Sequence, residues 1–340
     1  MKLMPHDKAF QVLLLQAAND ERGAVLFGDS LDRAREAVPP FLVGGPFPSV
    51  YLEHPLSGEP FLDVTVLLKN LEPETRVESP AAGAHGAMLD WYAETCSDDD
   101  SVTCGFEIDT SKPALPEAAV HFQPRTRTEL VRPFCEAVGE PERAELYLDL
   151  GKRMPDDWPL SFFGMFRGRA GSPLRVCGYL SDAGKSACAR DPEHLAAVFD
   201  TVGFSAYEKT MLSQASALMA AAPGTVDFQF DIFPDGKLGP TFAIDVQFEI
   251  EQPEAVRATF EAGAGANVMG LLESWDAADG RWKQAAASAF ARAIPIELDD
   301  GSPGRFAFTL MPQWVKARWT NGDLQPAKLY HLASAGLLDG

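Results

Sequence analysis

The stretch "VDFQFDIFPDGKLGPTFAIDVQFEI", residues 226–250, alternates apolar and polar side chains on both sides of a Pro-Asp-Gly turn. Successive residues of a strand point to opposite faces of a sheet. The run therefore predicts two strands with Phe228, Phe230, Ile232, Phe242, Ile244, Val246 and Phe248 on one side. Asp227, Gln229, Asp231, Asp245, Gln247 and Glu249 fall on the other. A strand pair with one greasy face and one charged face needs a core on one side and something polar on the other.

The same layout recurs outward along the chain. "SVYLEHPLSGEPFLDVTVLLK" (49–69), "VTCGFEIDTSKPALPEAAVHFQP" (102–124) and "LSFFGMFRGRAGSPLRVCGYL" (160–180) are further pairs of runs with period two. "RFAFTLMPQWVKARWTNGDLQPAKLY" (305–330) is the fifth. Each pair is broken by Gly, Pro, Asn or Asp, and each second run is entered through a proline: Pro60, Pro116, Pro173, Pro240 and Pro326. In the third pair Arg175, Cys177 and Tyr179 oppose Val176, Gly178 and Leu180; in the fifth Lys316 and Arg318 oppose Val315 and Ala317.

Helix-like spacing fills the intervals. "HDKAFQVLLLQA" opens the chain, "AHGAMLDWYAET" follows the first pair, and "RTELVRPFCEAVGEPERAELYLDLGKRM" the second. "EHLAAVFDTVG" and "AYEKTMLSQASALMAA" follow the third; "PEAVRATFEAGAGANVMGLLESWD" and "GRWKQAAASAFARA" follow the fourth. Ser205 with Glu208 has capping-box spacing, and Asp182 or the Asp191–Pro192 pair would also start helices. With no low-complexity linker or composition break, residues 1–340 read as one domain of the α+β class. Five pairs make ten strands. They form either an open sheet with one solvated face or a closed ten-stranded antiparallel barrel wrapped by helices, which removes exposed edges. The regular rhythm of two strands followed by helices favours the barrel.

The 340 residues carry a formal net charge of −20, with 49 acidic and 29 basic side chains. Such a chain is a poor partner for nucleic acid or an anionic membrane, so any anion site is a local basic spot. The five cysteines show no zinc or CxxC spacing and fit free thiols in the cytoplasm. The N-terminal apolar run is too short for a signal peptide or membrane span. Six histidines without HxH or HExxH spacing, and no P-loop or hydrolase elbow, leave zinc, nucleotide and serine-hydrolase chemistry without support.

The layout resembles the ABBA prenyltransferases, whose PT barrel of ten antiparallel strands is built from repeated α-β-β-α units. The second pair is similar to a hairpin of cyanobactin peptide prenyltransferases, and "AKLYHL" (327–332) is similar to the Lys-x-Tyr strands of indole prenyltransferases. The resemblance implies a transferase moving a dimethylallyl or geranyl group from its diphosphate to an aromatic small molecule or peptide side chain, as in natural product biosynthesis. It implies Arg175, Tyr179, Lys316, Arg318, Lys328 and Tyr330 as holders of the diphosphate and Glu53 as the catalytic base. His121, Gln247 and Trp314 would line the interior, and Trp314, Trp319, Phe162, Phe166 and Tyr51 would shield an allyl cation.

Two positions depart from that pattern: Ala119 and His121 stand where relatives place Lys-x-Tyr, and the fourth pair is acidic where it would be basic. Along one face, Glu53, Asp63, Glu107, Asp109, Asp227, Asp231, Asp245 and Glu249 stand against Lys69, Arg167, Arg175, Lys316, Arg318 and Lys328. Two explanations fit. Asp227, Asp231 and Asp245 would hold Mg²⁺ as the only cofactor, or the barrel would bind a polar or cationic substrate. The latter includes a peptide-binding or peptide-maturation protein that has left diphosphate chemistry.

Overall fold

A computed structural model describes residues 5–18, 22–44, 47–68, 71, 84–96, 99, 101–112, 117–297 and 301–338. The strands are β1 (Ser49–Pro55), β2 (Asp63–Leu68), β3 (Thr103–Ile108), β4 (Ala119–Gln123), β5 (Leu160–Met165), β6 (Leu174–Tyr179), β7 (Val226–Ile232) and β8 (Leu238–Gln247). They continue with β9 (Phe290–Glu297), β10 (Pro303–Thr320), the short β11 (Asp323–Leu324) and β12 (Lys328–Leu337). Each of β1 to β7 pairs antiparallel with the next; β8 pairs with β10, β10 with β12, and β12 returns to β1. The five expected pairs thus close into a ten-stranded antiparallel barrel, and first and last barrel strands belong to one sheet.

The helices are α1 (His6–Ala17), α2 (Arg22–Phe27), α3 (Ser30–Ala37), α4 (Ala84–Cys96), α5 (Val131–Ala137) and α6 (Glu142–Arg153). Then come α7 (Asp182–Arg190), α8 (Pro192–Val202), α9 (Lys209–Ala221), α10 (Pro253–Glu261), α11 (Ala264–Ser274) and α12 (Arg281–Ala287). Their apolar faces meet the outward-pointing half of every strand. Phe199 and Phe204 pack against Phe230 and Phe242, Trp158 against Phe228, and Phe134 stacks on Phe122 with centroids 4.1 Å apart. The hydrophobic core is therefore a shell between barrel and helices, and the polar half of each strand is left facing the lumen.

Several local expectations change. Residues 280–293 do not stay helical: α12 stops at Ala287, and from Phe290 the alternating "FARAIPIE" pairs with the first half of β10. Cross-strand pairing outweighs the helix propensity of the alanines. The Ser205–Glu208 capping box does not form, because α9 starts only at Lys209, with an extended Glu208 as its N-cap. Phe204 is held under Phe199, and Tyr207 donates to the Asp200 carboxylate at 2.7 Å. Ser181 rather than Asp182 caps α7, while Asp191 caps α8 with Pro192 at its first position, as expected. Pro240 lies inside β8, just past a register shift; Pro116 is outside the described residues. A further register shift lies between Pro312 and Trp314 and re-aims β10, so that Trp314, Lys316 and Arg318 face inward.

Closure brings backbones close on the inner wall. A Cβ on Gly105 would sit 2.1 Å from the Val66 carbonyl oxygen, which no side-chain movement relieves. Gly105→Ala should therefore cost about 2 kcal/mol and lower Tm by about 3 °C. Gly280→Ala, where a Cβ meets nothing within 4 Å, should leave Tm unchanged. Thermal melts of the two variants check this.

Candidate functional site

Closure concentrates the inward side chains into two chambers at opposite ends of the lumen. The upper chamber, about 400 Å³, is lined at one end of the strands by six cationic side chains and five carboxyls. The lower chamber, about 320 Å³, is lined by Tyr51, Phe162, Trp314 and Tyr330, together with amides, hydroxyls, carboxyls, His121 and the cations Arg125, Arg175 and Lys316. Glu107, Arg175, Gln229 and Lys316 line both, so the chambers adjoin.

At their junction the register places Glu53 opposite Tyr330 on one side and Asp63 on the other. Lys328 donates to Glu53 and lies 3.6 Å from Asp63; Lys316 Nζ donates to the Tyr330 hydroxyl at 2.7 Å, and that hydroxyl is hydrogen-bonded to Glu53. Burial opposes ionisation of Glu53, but Lys328 and Lys316 outweigh it and hold the carboxyl below its usual range. Asp63, buried beside the same lysine, gains less from it and is raised well above the carboxylate range, with Glu53 and Asp109 adding to the effect. One carboxylate and one protonated acid thus share Lys328 near neutral pH.

Across the upper chamber Arg175 donates to Asp231 at 3.0 Å, and Arg169 donates to Glu107 at 2.6 Å. Burial disfavours the Glu107 anion, yet Arg169 and His121 keep it well below the usual range; His121 Nε2 lies 3.3 Å from it. Arg318 differs. Among the described residues it has no ion pair, its buried Nε has no hydrogen-bond partner, and burial and neighbouring Arg175 both disfavour its charge. It is a desolvated guanidinium facing a cavity, the state that an anionic ligand would relieve.

Of the expected diphosphate ligands, Arg175, Lys316, Arg318 and Lys328 meet around the upper chamber, and Tyr330 lies beside them. Tyr179 does not join them. It has the right strand parity but ends β6 at the rim, 42% exposed. His121, Gln247 and Trp314 line the lower chamber, as do Tyr51 and Phe162. Trp314 stacks on Tyr330 at 4.9 Å and meets Tyr51 at 4.7 Å. Two expected cation shields are otherwise engaged. Trp319 points outward, fully buried against Phe242 with its Nε1 on Gln214, and Phe166 has Arg169 and Arg175 over its ring, 4.0 and 4.5 Å from the centroid.

The expected Mg²⁺ site is not formed. Asp231 belongs to the upper chamber and is held by Arg175, whereas Asp227 and Asp245 line the lower one and accept from Gln247 and Gln229. Among the described residues no group of three or more His, Cys, Asp or Glu side chains converges on a metal position. The lumen charge count also shifts. Arg167 turns away to Glu140, and Glu249 folds back onto the Thr225 amide. Lys69 lies outside the described residues. Arg169 and Lys112 enter instead, from connections between strands where no alternation marks a direction; "FRGRAGSP" (166–173), with its two arginines in a tight turn, was the available signal for Arg169.

No protein-family model and no curated protein sequence matches this chain. Solved structures do. A 5-dimethylallyltryptophan synthase from Streptomyces coelicolor superposes with TM-score 0.51 at 12% identity, covering 96% of each chain. Prenyltransferase PriB, solved as a binary complex with product diphosphate, gives 0.54 at 11% identity over 97% of this chain and 96% of its own. AnaPT from Neosartorya fischeri gives 0.52 at 11% identity over 98% and 93%. The likeness spans nearly the whole chain and identifies the fold as the ABBA barrel.

Burial, followed by the facing Asp245, pushes Asp227 up to about 7. Its unfolded value is near 3.9, so the folded state binds the extra proton and this group's contribution to stability falls as pH rises from about 4 to about 7. Asp227→Asn should remove that loss, with a Tm several degrees above the parent at pH 8 and a gap that narrows toward pH 5. Paired melts across that range check the sign.

Proposed function

We propose that this protein is a transferase that moves an allylic group, dimethylallyl or geranyl, from its diphosphate to an aromatic acceptor, a small molecule or a peptide side chain, inside the barrel. The observation that carries the reading is Arg318, a desolvated cation with no ion pair among the described residues, facing the same chamber as Arg169, Arg175, Lys316 and Lys328. Ionising the allylic carbon–oxygen bond sends its electron pair onto the diphosphate, and preorganised cations in a dry cavity stabilise that charge. The allyl cation then lies beside the Tyr330, Trp314 and Tyr51 rings, whose π faces attract a cation and exclude water. The acceptor ring attacks the cation, and Glu53, held ionised by Lys328, accepts the proton that the ring loses. The shared fold with dimethylallyl transferases supports the reading, and five free, buried cysteines suit a cytoplasmic protein. No described helix is long and apolar enough to cross a membrane.

A second reading has its own support. Lys328, Arg175 and Arg169 already hold protein carboxylates, which suits a peptide-binding barrel without diphosphate chemistry. Pyrophosphate and dimethylallyl thiolodiphosphate separate the two. The transferase should show a Tm rise of several degrees with either, and Arg318→Ala or Lys328→Ala should abolish it; no shift with either ligand rejects the transferase. With an active acceptor, Glu53→Gln should lower turnover about 10²–10⁴-fold while keeping the thiolodiphosphate shift.

A further inference from the structure

The lower chamber contains an arrangement that diphosphate binding does not use. Asp227 and Asp245 face each other across β7 and β8, flanked by Gln229 and Gln247 on the same inner wall. The bonds cross: Gln229 Nε2 donates to Asp245 Oδ2 at 2.6 Å, and Gln247 Nε2 donates to Asp227 Oδ2 at 3.0 Å. Each amide satisfies one carboxyl oxygen. Among the described residues the other oxygen has no hydrogen-bond partner, and Asp245, with its unpartnered Oδ1, is only 3% exposed. Carboxyls directly opposite each other in a low-dielectric wall repel, so the pair destabilises the chain unless protonated or neutralised.

The surrounding charges offset it only in part. Lys316 on β10 is 3.9 Å from Asp245, but its hydrogen bond goes to Tyr330; Arg125 and His121 line the same chamber, with His121 3.3 Å from Glu107. Arg175 on β6 is paired with Asp231, Glu53 on β1 adds negative charge near Asp245, and Tyr179 stands opposite Asp227 in register. Trp314 lies opposite both Gln247 and Tyr330, which places the Tyr51–Trp314–Tyr330 aromatic wall in the same chamber as the pair. Two hydrogen-bond acceptors carrying negative charge and an aromatic wall meet in a cavity of about 320 Å³. That is the complement of an aromatic ring bearing a protonated amine.

We propose that Asp227 and Asp245 form an ammonium-binding subsite, and that its ligand is an aromatic primary amine whose ring lies against Trp314. Only the description of this amine as the acceptor rests on the transferase reading. The subsite itself rests on the crossed Asp–Gln arrangement. Burial holds these two carboxyls at about 7 and about 6. An incoming ammonium favours both anions and expels the proton that they retain near neutrality, so binding releases a proton to the buffer.

Calorimetric titrations at pH 7, in two buffers of different ionisation enthalpy, test this with tryptamine and benzylamine against the uncharged tryptophol and benzyl alcohol. At least one amine should bind about tenfold or more tightly than its alcohol, as a charge-assisted bond implies, and should release protons. Asp227→Asn and Asp245→Asn should each shrink that preference to about threefold or less. A preference that survives both substitutions, alcohols that bind as well as amines, or no binding by either amine overturns the proposal. Pyrophosphate and dimethylallyl thiolodiphosphate are the controls: an amine preference without a shift by either rejects the transferase and leaves the subsite standing.

Discussion

Closure of the sheet is the constraint on which the rest of the structure depends. Once β8 pairs with β10 and β12 with β1, no strand of the barrel has a free edge, and every inward side chain is committed to one enclosed lumen. The outward half of each strand then needs an apolar cover, which the helices supply through contacts such as Phe134 on Phe122 and Phe199 on Phe242. A polar interior inside an apolar shell reverses the arrangement of most small domains. It is stable because the polar groups can satisfy one another across neighbouring strands.

That mutual satisfaction explains how an acid-rich chain holds a cationic chamber. Cations and carboxyls interleave around both chambers. Arg169, Arg175, Arg318 and Lys328 stand among Glu53, Asp63, Glu107, Asp109 and Asp231 in the upper one, while Arg125, Arg175 and Lys316 share the lower one with Glu107, Asp227 and Asp245. Burial raises Asp63, Asp227 and Asp245 above the usual carboxylate range, so the lumen near neutral pH is less negative than a residue count implies. Among the described residues Arg318 has no ion pair, and the Asp227–Asp245 pair has only Lys316, 3.9 Å from Asp245. The two deficits have opposite sign and lie in adjoining chambers. An anion in one chamber and a cation in the other would remedy both.

Strand parity accounts for what could be read in advance, and its breakdown accounts for what could not. Glu53, Lys316, Lys328 and Tyr330 were placed correctly because alternation carries directly into inward and outward directions within an unbroken strand. Tyr179 has the correct parity but lies where β6 leaves the barrel, and parity says nothing of depth. Trp319 follows Arg318 on the outer side, and Phe166 is taken up by two guanidiniums that a linear pattern does not bring to it. Arg169 arrives from a turn, where no period exists to reveal its direction.

The sequence by itself determined that ten amphipathic strands alternate with helices, and which residues of each strand share a face, because both depend on spacing along a local backbone. Whether that sheet closed, which inward charges became neighbours, and which were left without partners was decided only by the tertiary structure. Register between strands and depth along the barrel axis arise from contacts between residues far apart in the chain. Lys328 and Glu53, 275 positions apart, form one ion pair only because the last strand returns to the first.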